Sequence, residues 1–212
     1  MERKNLPSIL QAWERNRVLG FEMGFTVSDL IQVQGNYGDN KVLVSTLSTP
    51  IGEMFVMETQ KGICLLEFED LKELEQEIQS ILQKTKGKLI EGGSNFFALL
   101  SEEMGAYFQD CNSPFSVPLD MLGTDFQKQV WNSLIEIPVG QTRSYTQLAE
   151  RIGKSKAVRA VGSANAKNPI AIVIPCHRLI GANGSLTGYG GGIWRKEWLL
   201  MHEKQAAKSD KD

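Results

Sequence analysis

The stretch AIVIPCHRLIG, residues 171–181, places a thiol beside an imidazole, a pair that could carry out nucleophilic chemistry. A cysteine attacks as the thiolate, which forms when a base or a positive charge lies nearby. His177 and Arg178 supply both, directly after Cys176. Because free cysteine is among the most buried residue types, an inert core thiol is the competing interpretation.

This chemistry depends on how the backbone presents Cys176. The preceding run PIAIVIP is short, apolar and β-branched, which predicts a buried strand that ends at Pro175. Neighbours on a regular strand point to opposite faces, so His177 can act on Cys176 only through an irregular backbone or a bridging water. The imidazole also needs a carboxylate to orient it, and Glu203 is a candidate.

A glycine-rich segment, GANGSLTGYGGG at residues 181–192, follows the thiol. Glycines let a backbone approach a ligand closely, which favours a binding loop, whereas the spacing does not fit a phosphate-binding loop. A flexible surface loop is the alternative interpretation. The next segment, IWRKEWLLMHE, predicts a last amphipathic helix in which Trp194, Trp198 and Met201 are packed.

Three predicted helices precede the apolar run. Capping boxes begin two of them, at Thr124–Gln127 and at Ser144–Gln147. Ser155 is the predicted cap of the third, KAVRAVGSANAKN, which ends before Pro169. The second and third helices, joined by a glycine-containing turn, form a helix-turn-helix.

The third helix has one packed face and one small, basic face. At 3.6 residues per turn, the packed side holds Val158, Val161, Gly162 and Asn165. The opposite side holds Lys156, Arg159, Ala160, Ser163 and Lys167. Small residues allow close approach to a phosphate backbone and cations neutralise it, which favours DNA binding over an ordinary solvated face.

The charge distribution agrees with an anionic partner for the second half. The 212 residues carry a formal net charge of −2, yet residues 141–212 contain 12 Lys and Arg against 5 Asp and Glu. No stretch has the apolar length of a membrane span, and the N-terminus does not resemble a secretion signal, so we expect a cytoplasmic protein. Three widely spaced cysteines and two histidines predict neither a disulfide framework nor a metal site.

The first half of the chain shows no chemistry. Residues 1–40 are left unassigned; they hold two possible short helices, one around Ile9, Leu10 and Trp13 and one in TVSDLIQVQ with Ser28 as its cap. Residues 41–120 predict a small α+β domain. Three β-rich runs form an antiparallel meander, two helices follow, and FSVPL is a possible returning strand.

Two further residues of this half, Cys64 and Cys111, are predicted to be core thiols. The predicted fold class is therefore an α+β N-terminal domain with a short antiparallel sheet, followed by a mainly helical DNA-binding domain at residues 121–204. Residues 205–212 predict a disordered tail.

The motif IPCHR, preceded by AVRAVGSANAKNP and followed by GSLTGYGGG and RKEWLLMHE, closely resembles the O6-alkylguanine-DNA alkyltransferases. The resemblance spans residues 41 to 204 and is densest from Thr124 to Glu203. It implies DNA repair by transfer of an alkyl group from O6 of guanine onto Cys176. The transfer is irreversible, so each molecule would act once and would need no cofactor.

The resemblance also implies a role for each matching residue. His177, through a water, and Glu203 would make Cys176 a thiolate. Arg159 would enter the duplex and fill the space of the extruded base, and Tyr145 would crowd the target phosphate. Asn168 would tie the two helices of the motif together, Tyr189 would contact the alkylated guanine, and Val173 and Cys176 would offer main-chain carbonyls to it.

Binding is expected through the minor groove of double-stranded DNA, by a monomer. The predicted DNA-contacting residues besides Arg159 are Arg143, Lys156, Ala160, Ser163, Lys167 and Arg178.

Two departures from the family pattern stand out. Gly190 occupies a position where some members have a serine, so its N–H would replace one hydrogen bond to the substrate oxygen. The Cys and His ligands of the zinc site that some members carry are absent.

Three alternative functions remain open: a non-catalytic DNA-damage sensor on the same scaffold, a transcription regulator that uses the helix-turn-helix alone, and a cysteine hydrolase with turnover. In sensors of that type the cysteine is replaced, usually by tryptophan, whereas here Cys176 is present.

Overall fold

A computed structural model describes residues 26–33, 35–71, 73–111 and 114–209. The helix predicted around Ile9, Leu10 and Trp13 lies outside the described residues. Helix α1, Val27–Val33, confirms the second N-terminal helix. Ser28 lies inside α1 rather than at its cap, so that detail was wrong.

The first half is built on a four-stranded sheet with the order β3-β2-β1-β4. Strands β1 (Asn40–Thr49), β2 (Gly52–Thr59) and β3 (Gly62–Phe68) form the predicted antiparallel meander. Strand β4, Gly87–Glu91, was not predicted, and it pairs in parallel with β1. The sheet is therefore mixed rather than antiparallel.

The segment FSVPL does not form the possible strand. It contributes one isolated bridge, between Leu119 and Ile63, where the N–H of Ile63 donates to the Pro118 carbonyl at 2.8 Å. Pro118 has no N–H of its own, which limits any longer ladder.

Two helices cover the sheet. Helix α2, Leu74–Thr85, buries Leu74, Ile78, Ile81 and Leu82, as the helical spacing predicted. Helix α3, Asn95–Asp110, begins at Ser94, whose side chain accepts a hydrogen bond from the N–H of Phe96. Both predicted core thiols are buried and unpaired, and burial raises the pKa of Cys111 to about 12.

The second half packs on the opposite face of the same sheet. Helix α4, Asp125–Ile135, and helix α5, Tyr145–Arg151, both begin with the predicted capping boxes. Helix α6, Val158–Ala166, follows after a turn, and the last helix, α7, is Ile193–Ser209. One hydrophobic cluster joins Leu66 and Phe68 of the sheet to Trp131 and Leu134 of α4. The two halves therefore share a core.

Three helix predictions need correction. Ser155 does not cap α6, because the chain first makes a turn in which the N–H of Ala157 donates to the Lys154 carbonyl. Met201 is 44% exposed rather than packed, whereas Trp194 and Trp198 pack against the core. The predicted tail is helical through Ser209.

Candidate active site

The apolar run before Cys176 is a buried loop, not the predicted strand. Ile170 makes one bridge to Leu66 of β3, and the chain then turns, with the N–H of Ile174 donating to the Ile170 carbonyl at 3.0 Å. Ile172 adopts a left-handed backbone with φ of 68°. Such strain in a β-branched residue persists only where the surroundings impose it.

Asn168 supplies the hydrogen bonds that a neighbouring strand would have made. Its Nδ2 donates to the carbonyls of Ile170 and Ile174 at 3.3 and 2.9 Å, and its Oδ1 accepts from the N–H of Ile170 at 3.0 Å. Asn168 therefore shapes the loop that carries Cys176. The implied role of tying two helices together is replaced by this one.

Cys176 begins a short 3-10 turn, Cys176–Arg178, which gives the irregular backbone that the chemistry required. The cysteine is 7% exposed and lines a cavity of about 100 Å³. Tyr189 and Gly190 of the glycine-rich loop line the same cavity, as does Asn168. The two-residue strands β5, Arg143–Ser144, and β6, Leu179–Ile180, pair in parallel and hold the turn beside the start of α5.

The structure brings His177 and Glu203 together in the interior. Both side chains are fully buried, and the His177 Nε2 and Glu203 Oε1 atoms lie 2.7 Å apart. Helix α7 carries Glu203, so the contact spans the closing helix and the 3-10 turn. When Nε2 donates to the carboxylate, Nδ1 becomes the free acceptor of the neutral ring.

Three further groups hold the Glu203 carboxylate. Arg178 donates from Nη2 to Oε1 at 2.9 Å and from Nε to Oε2 at 3.0 Å. The hydroxyl of Tyr107 donates to Oε1 at 2.8 Å, and the N–H of Gly140 donates to Oε2 at 3.2 Å. Hydrogen bonds from His177 and Arg178 hold the pKa of Glu203 far below its usual range despite burial, so the group is a carboxylate.

This network corrects one predicted role and adds a residue. Arg178 is only 7% exposed and is engaged with Glu203, so its predicted contact with DNA is wrong. Tyr107, from the first half of the chain, was missed by the sequence reasoning. Only the packing of α3 against α7 reveals it, since 96 positions separate Tyr107 from Glu203.

The resting site holds a thiol rather than the expected thiolate. Burial raises the pKa of Cys176 to about 12, opposed by a hydrogen bond from Asn168 and by the charge of Lys196. Burial also lowers the pKa of His177, which is therefore neutral near pH 7. Nδ1 of His177 is buried and makes no hydrogen bond to any residue that the structure describes.

Lys196 was also missed by the sequence reasoning. It is buried, and its Nζ donates to the carbonyls of Leu179 and Thr187 at 2.5 and 2.8 Å. Burial lowers its pKa to about 8. Lys196 thereby ties the glycine-rich loop to the strand that follows the 3-10 turn.

Two tyrosines flank the glycine-rich loop. The hydroxyl of Tyr145, at the start of α5, donates to the Thr187 carbonyl at 3.3 Å. The hydroxyl of Tyr189 is buried without a hydrogen bond among the described residues. Val173 is buried in the loop before Cys176, and its N–H donates to the Ala171 carbonyl at 2.8 Å.

The remaining predicted residues lie on one surface. The exposed side of α6 and the turn before it carry Lys156, Arg159, Ala160, Ser163 and Lys167. Arg143 is half-buried at β5 and donates from Nη1 to the Thr142 carbonyl. Helix α6 contacts α5, and Nε1 of Trp131 donates to the Ala164 carbonyl at 2.9 Å, which anchors α6 to α4.

The described ranges contain no group of three His, Cys, Asp or Glu side chains that could hold a metal ion. Within the same ranges, no helix combines the length and apolar character needed to span a membrane.

Comparison with known proteins identifies both halves of the chain. Residues 42–121 match the ribonuclease-like domain of 6-O-methylguanine DNA methyltransferase, and residues 125–205 match its DNA-binding domain. Methylated-DNA--protein-cysteine methyltransferase from Shigella flexneri is 41% identical over 165 residues, 77% of this chain and 96% of that protein. Its counterpart from Mycobacterium tuberculosis H37Rv is 56% identical over 109 residues, which cover 51% of this chain and 66% of the relative.

Solved structures give the same result. O6-methylguanine methyltransferase from Mycobacterium tuberculosis aligns with a TM-score of 0.67 and 40% identity, covering 81% of this chain and 99% of that one. The OGT protein of the same organism, crystallised in complex with DNA, aligns with a TM-score of 0.65 and 40% identity over 78% of this chain and 94% of that one. The chain therefore belongs to the 6-O-methylguanine DNA methyltransferase family.

Proposed function

We propose that this protein repairs DNA by moving a methyl or other alkyl group from O6 of guanine onto Cys176. The observation that carries the proposal is a cysteine that lines a cavity and is followed directly by a buried His177–Glu203 pair. The names of the relatives from Shigella flexneri and Mycobacterium tuberculosis support the same reaction. The protein is then a methylated-DNA--protein-cysteine methyltransferase that acts once.

The proposed reaction begins with removal of the thiol proton. Sγ loses its proton through a bridging water to Nδ1 of His177, whose Nε2–H already donates to Glu203. The Glu203 carboxylate stabilises the imidazolium that forms. Because the resting thiol and imidazole are both neutral, proton transfer accompanies the attack rather than preceding it.

Alkyl transfer then balances as a single displacement. The sulfur of Cys176 forms a bond to the alkyl carbon as the bond between that carbon and O6 breaks. The electron pair remains on the guanine, which takes up one proton and is restored as the normal base. The thioether on Cys176 has no good leaving group, so the protein is consumed in the reaction.

Base extrusion follows from where O6 lies. In a stacked duplex this atom is out of reach of a thiol that is itself in a cavity, so the nucleotide must rotate out of the helix. We assign the minor-groove contact to the small, basic face of the helix-turn-helix formed by α5 and α6. Arg159 fills the gap left by the base, and Tyr145 crowds the target phosphate.

The substrate contacts are assigned to the cavity and its rim. Tyr189 contacts the alkylated guanine, the carbonyls of Val173 and Cys176 accept from its amino group, and the N–H of Gly190 donates to the substrate oxygen. Arg143, Lys156 and Lys167 neutralise phosphates, while Ala160 and Ser163 allow close approach.

The proposed protein is a monomer that works in the cytoplasm without a metal or a cofactor. Cys64, Cys111 and Cys176 are all free thiols, which is typical of a reducing compartment.

The deciding experiment mixes the protein with a duplex that carries one O6-methylguanine, followed by intact mass and peptide mapping. The expected result is one added methyl on the Cys176 peptide, with at most one equivalent per protein. A C176S variant should bind the same duplex and gain no mass. Tight binding by the wild type without modification would identify a sensor or regulator, and repeated product release would identify a hydrolase.

A further inference from the structure

Carboxylates face Cys176 across the cavity. Glu67 at the end of β3, Glu73 just before α2 and Glu77 in the first turn of α2 all line it. Glu67 is only 6% exposed, so its carboxyl group belongs to the cavity wall rather than to the solvent. The repair reaction as proposed above uses none of these three side chains.

Unpaired polar atoms from three elements converge on the same space. Oε2 of Glu77, Oδ1 of Asn165 and the hydroxyl of Tyr189 are buried and make no hydrogen bond within the described part of the chain. All three residues line the cavity, and Asn165 is only 4% exposed. Leaving buried polar atoms unpaired is unfavourable, so the cavity is built for a ligand that offers polar groups.

The charge of the wall is negative. Among the described lining residues, three are carboxylates and none is Lys or Arg; Lys72 lies outside the described residues. The buried cations nearby are engaged elsewhere, Lys196 with two carbonyls and Arg195 with Asp70. Burial and Glu73 raise the pKa of Glu77 to about 7, so this carboxyl group is ionised in mildly alkaline solution.

Resting on the proposed function, we propose that Glu77, with Glu67 and Glu73 beside it, makes the cavity select the alkyl group by its charge. Small neutral groups on O6 and groups that end in a cation are accepted. Groups that end in an anion are rejected, because they would place a second negative charge against the carboxylate wall.

The test compares three duplexes that carry O6-methylguanine, O6-carboxymethylguanine or O6-(2-aminoethyl)guanine, at about pH 8, where Glu77 is ionised. Single-turnover rate constants are measured for the wild type, E77Q, E73Q and E75Q. Glu75 is the matched control, since it lies on the same helix, is exposed and bonds only locally to Gln79. Circular dichroism confirms that each variant is folded.

The wild type should transfer methyl and aminoethyl groups faster than carboxymethyl. E77Q should lower the methyl-to-carboxymethyl ratio by at least about five-fold, roughly what one charge pair at about 4 Å contributes even in water. E73Q should lower it in the same direction by less, and E75Q should leave it unchanged.

Equal transfer of all three groups by the wild type, or ratios in E77Q and E73Q that equal the wild-type ratio, overturns the selectivity and leaves the repair function standing. Failure of the wild type to transfer even methyl overturns the repair function itself.

Discussion

Replacing Glu203 with glutamine tests how the buried network works. Glutamine keeps the shape but removes the charge that holds Arg178 and orients His177. Removing one partner of a buried ion pair leaves the other charge without compensation, which costs about 3–5 kcal/mol. We expect E203Q to lower the free energy of unfolding by about that amount, and to slow methyl transfer because the imidazolium loses its stabilising carboxylate.

Urea denaturation at pH 7 measures the stability, and single-turnover methyl transfer measures the chemistry. Glu197 lies on the same helix and is exposed, so E197Q is the matched control and should change neither quantity. A double variant, R178M with E203Q, should be more stable than the sum of the two single effects predicts, because it removes both charges. An E203Q protein within about 1 kcal/mol of the wild type would refute the reasoning.

The pH dependence of stability gives an independent check. The pKa of Glu203 is depressed in the folded state, so its contribution is present above its unfolded pKa and is lost as the pH falls through the folded value. The pKa of His177 is also depressed, so stability decreases as the pH falls below about 6.5, the unfolded value. Both groups make the wild type less stable in acid, and E203Q should lose the carboxylate part of that dependence.

The other predictions concern the groups around the site. Arg195 donates to the Ile51 carbonyl, to Asp70 and to the Gly191 carbonyl, so R195M should cost about 1–3 kcal/mol in urea denaturation and slow transfer by loosening the loop; wild-type stability in R195M would contradict this. N168A should lose about 1–3 kcal/mol of stability and reduce Cys176 reactivity, since the loop carbonyls lose their donor; an N168A protein with wild-type transfer would show that the loop holds itself. Alkylation of Cys176 by iodoacetamide without DNA should rise about ten-fold per pH unit between about pH 7 and 9, because its pKa is about 12; a plateau near neutrality would mean a resting thiolate. Replacing Lys156 and Lys167 with alanine should weaken DNA binding at every sequence and reduce the salt dependence by about one unit per phosphate contact, measured by fluorescence anisotropy; an unchanged salt slope would place the DNA elsewhere.

Local chemistry made parts of the fold predictable. The two capping boxes place helix starts within a few residues of sequence, because the side chain and the backbone it caps are neighbours in the chain. The meander is equally local, since short turns connect its three strands. Strand β4 escaped detection because its five residues, GKLIE, pair with β1, whose partner residues lie 47 positions earlier.

Apolar runs marked burial correctly but not the backbone shape. PIAIVIP is buried throughout most of its length, as predicted, yet only Ile170 finds a strand partner. Periodicity cannot distinguish a buried strand from a buried loop, because the choice depends on whether another strand or a side chain such as Asn168 satisfies the backbone. Ser155 failed as a cap for a related reason, since a turn competed for the same residues.

The sequence by itself determined the identity of the nucleophile, the general base beside it and the basic helix face, since these are matters of residue type and short spacing. Only the tertiary structure decided the charge states and the partners. It placed Glu203 against His177, turned Arg178 inward and brought Tyr107 from the other half of the chain. It also enclosed Cys176 in a cavity walled by Glu67 and Glu77. The physical reason is that burial and long-range contacts set the free energy of a charge, and neither is written in the order of residues.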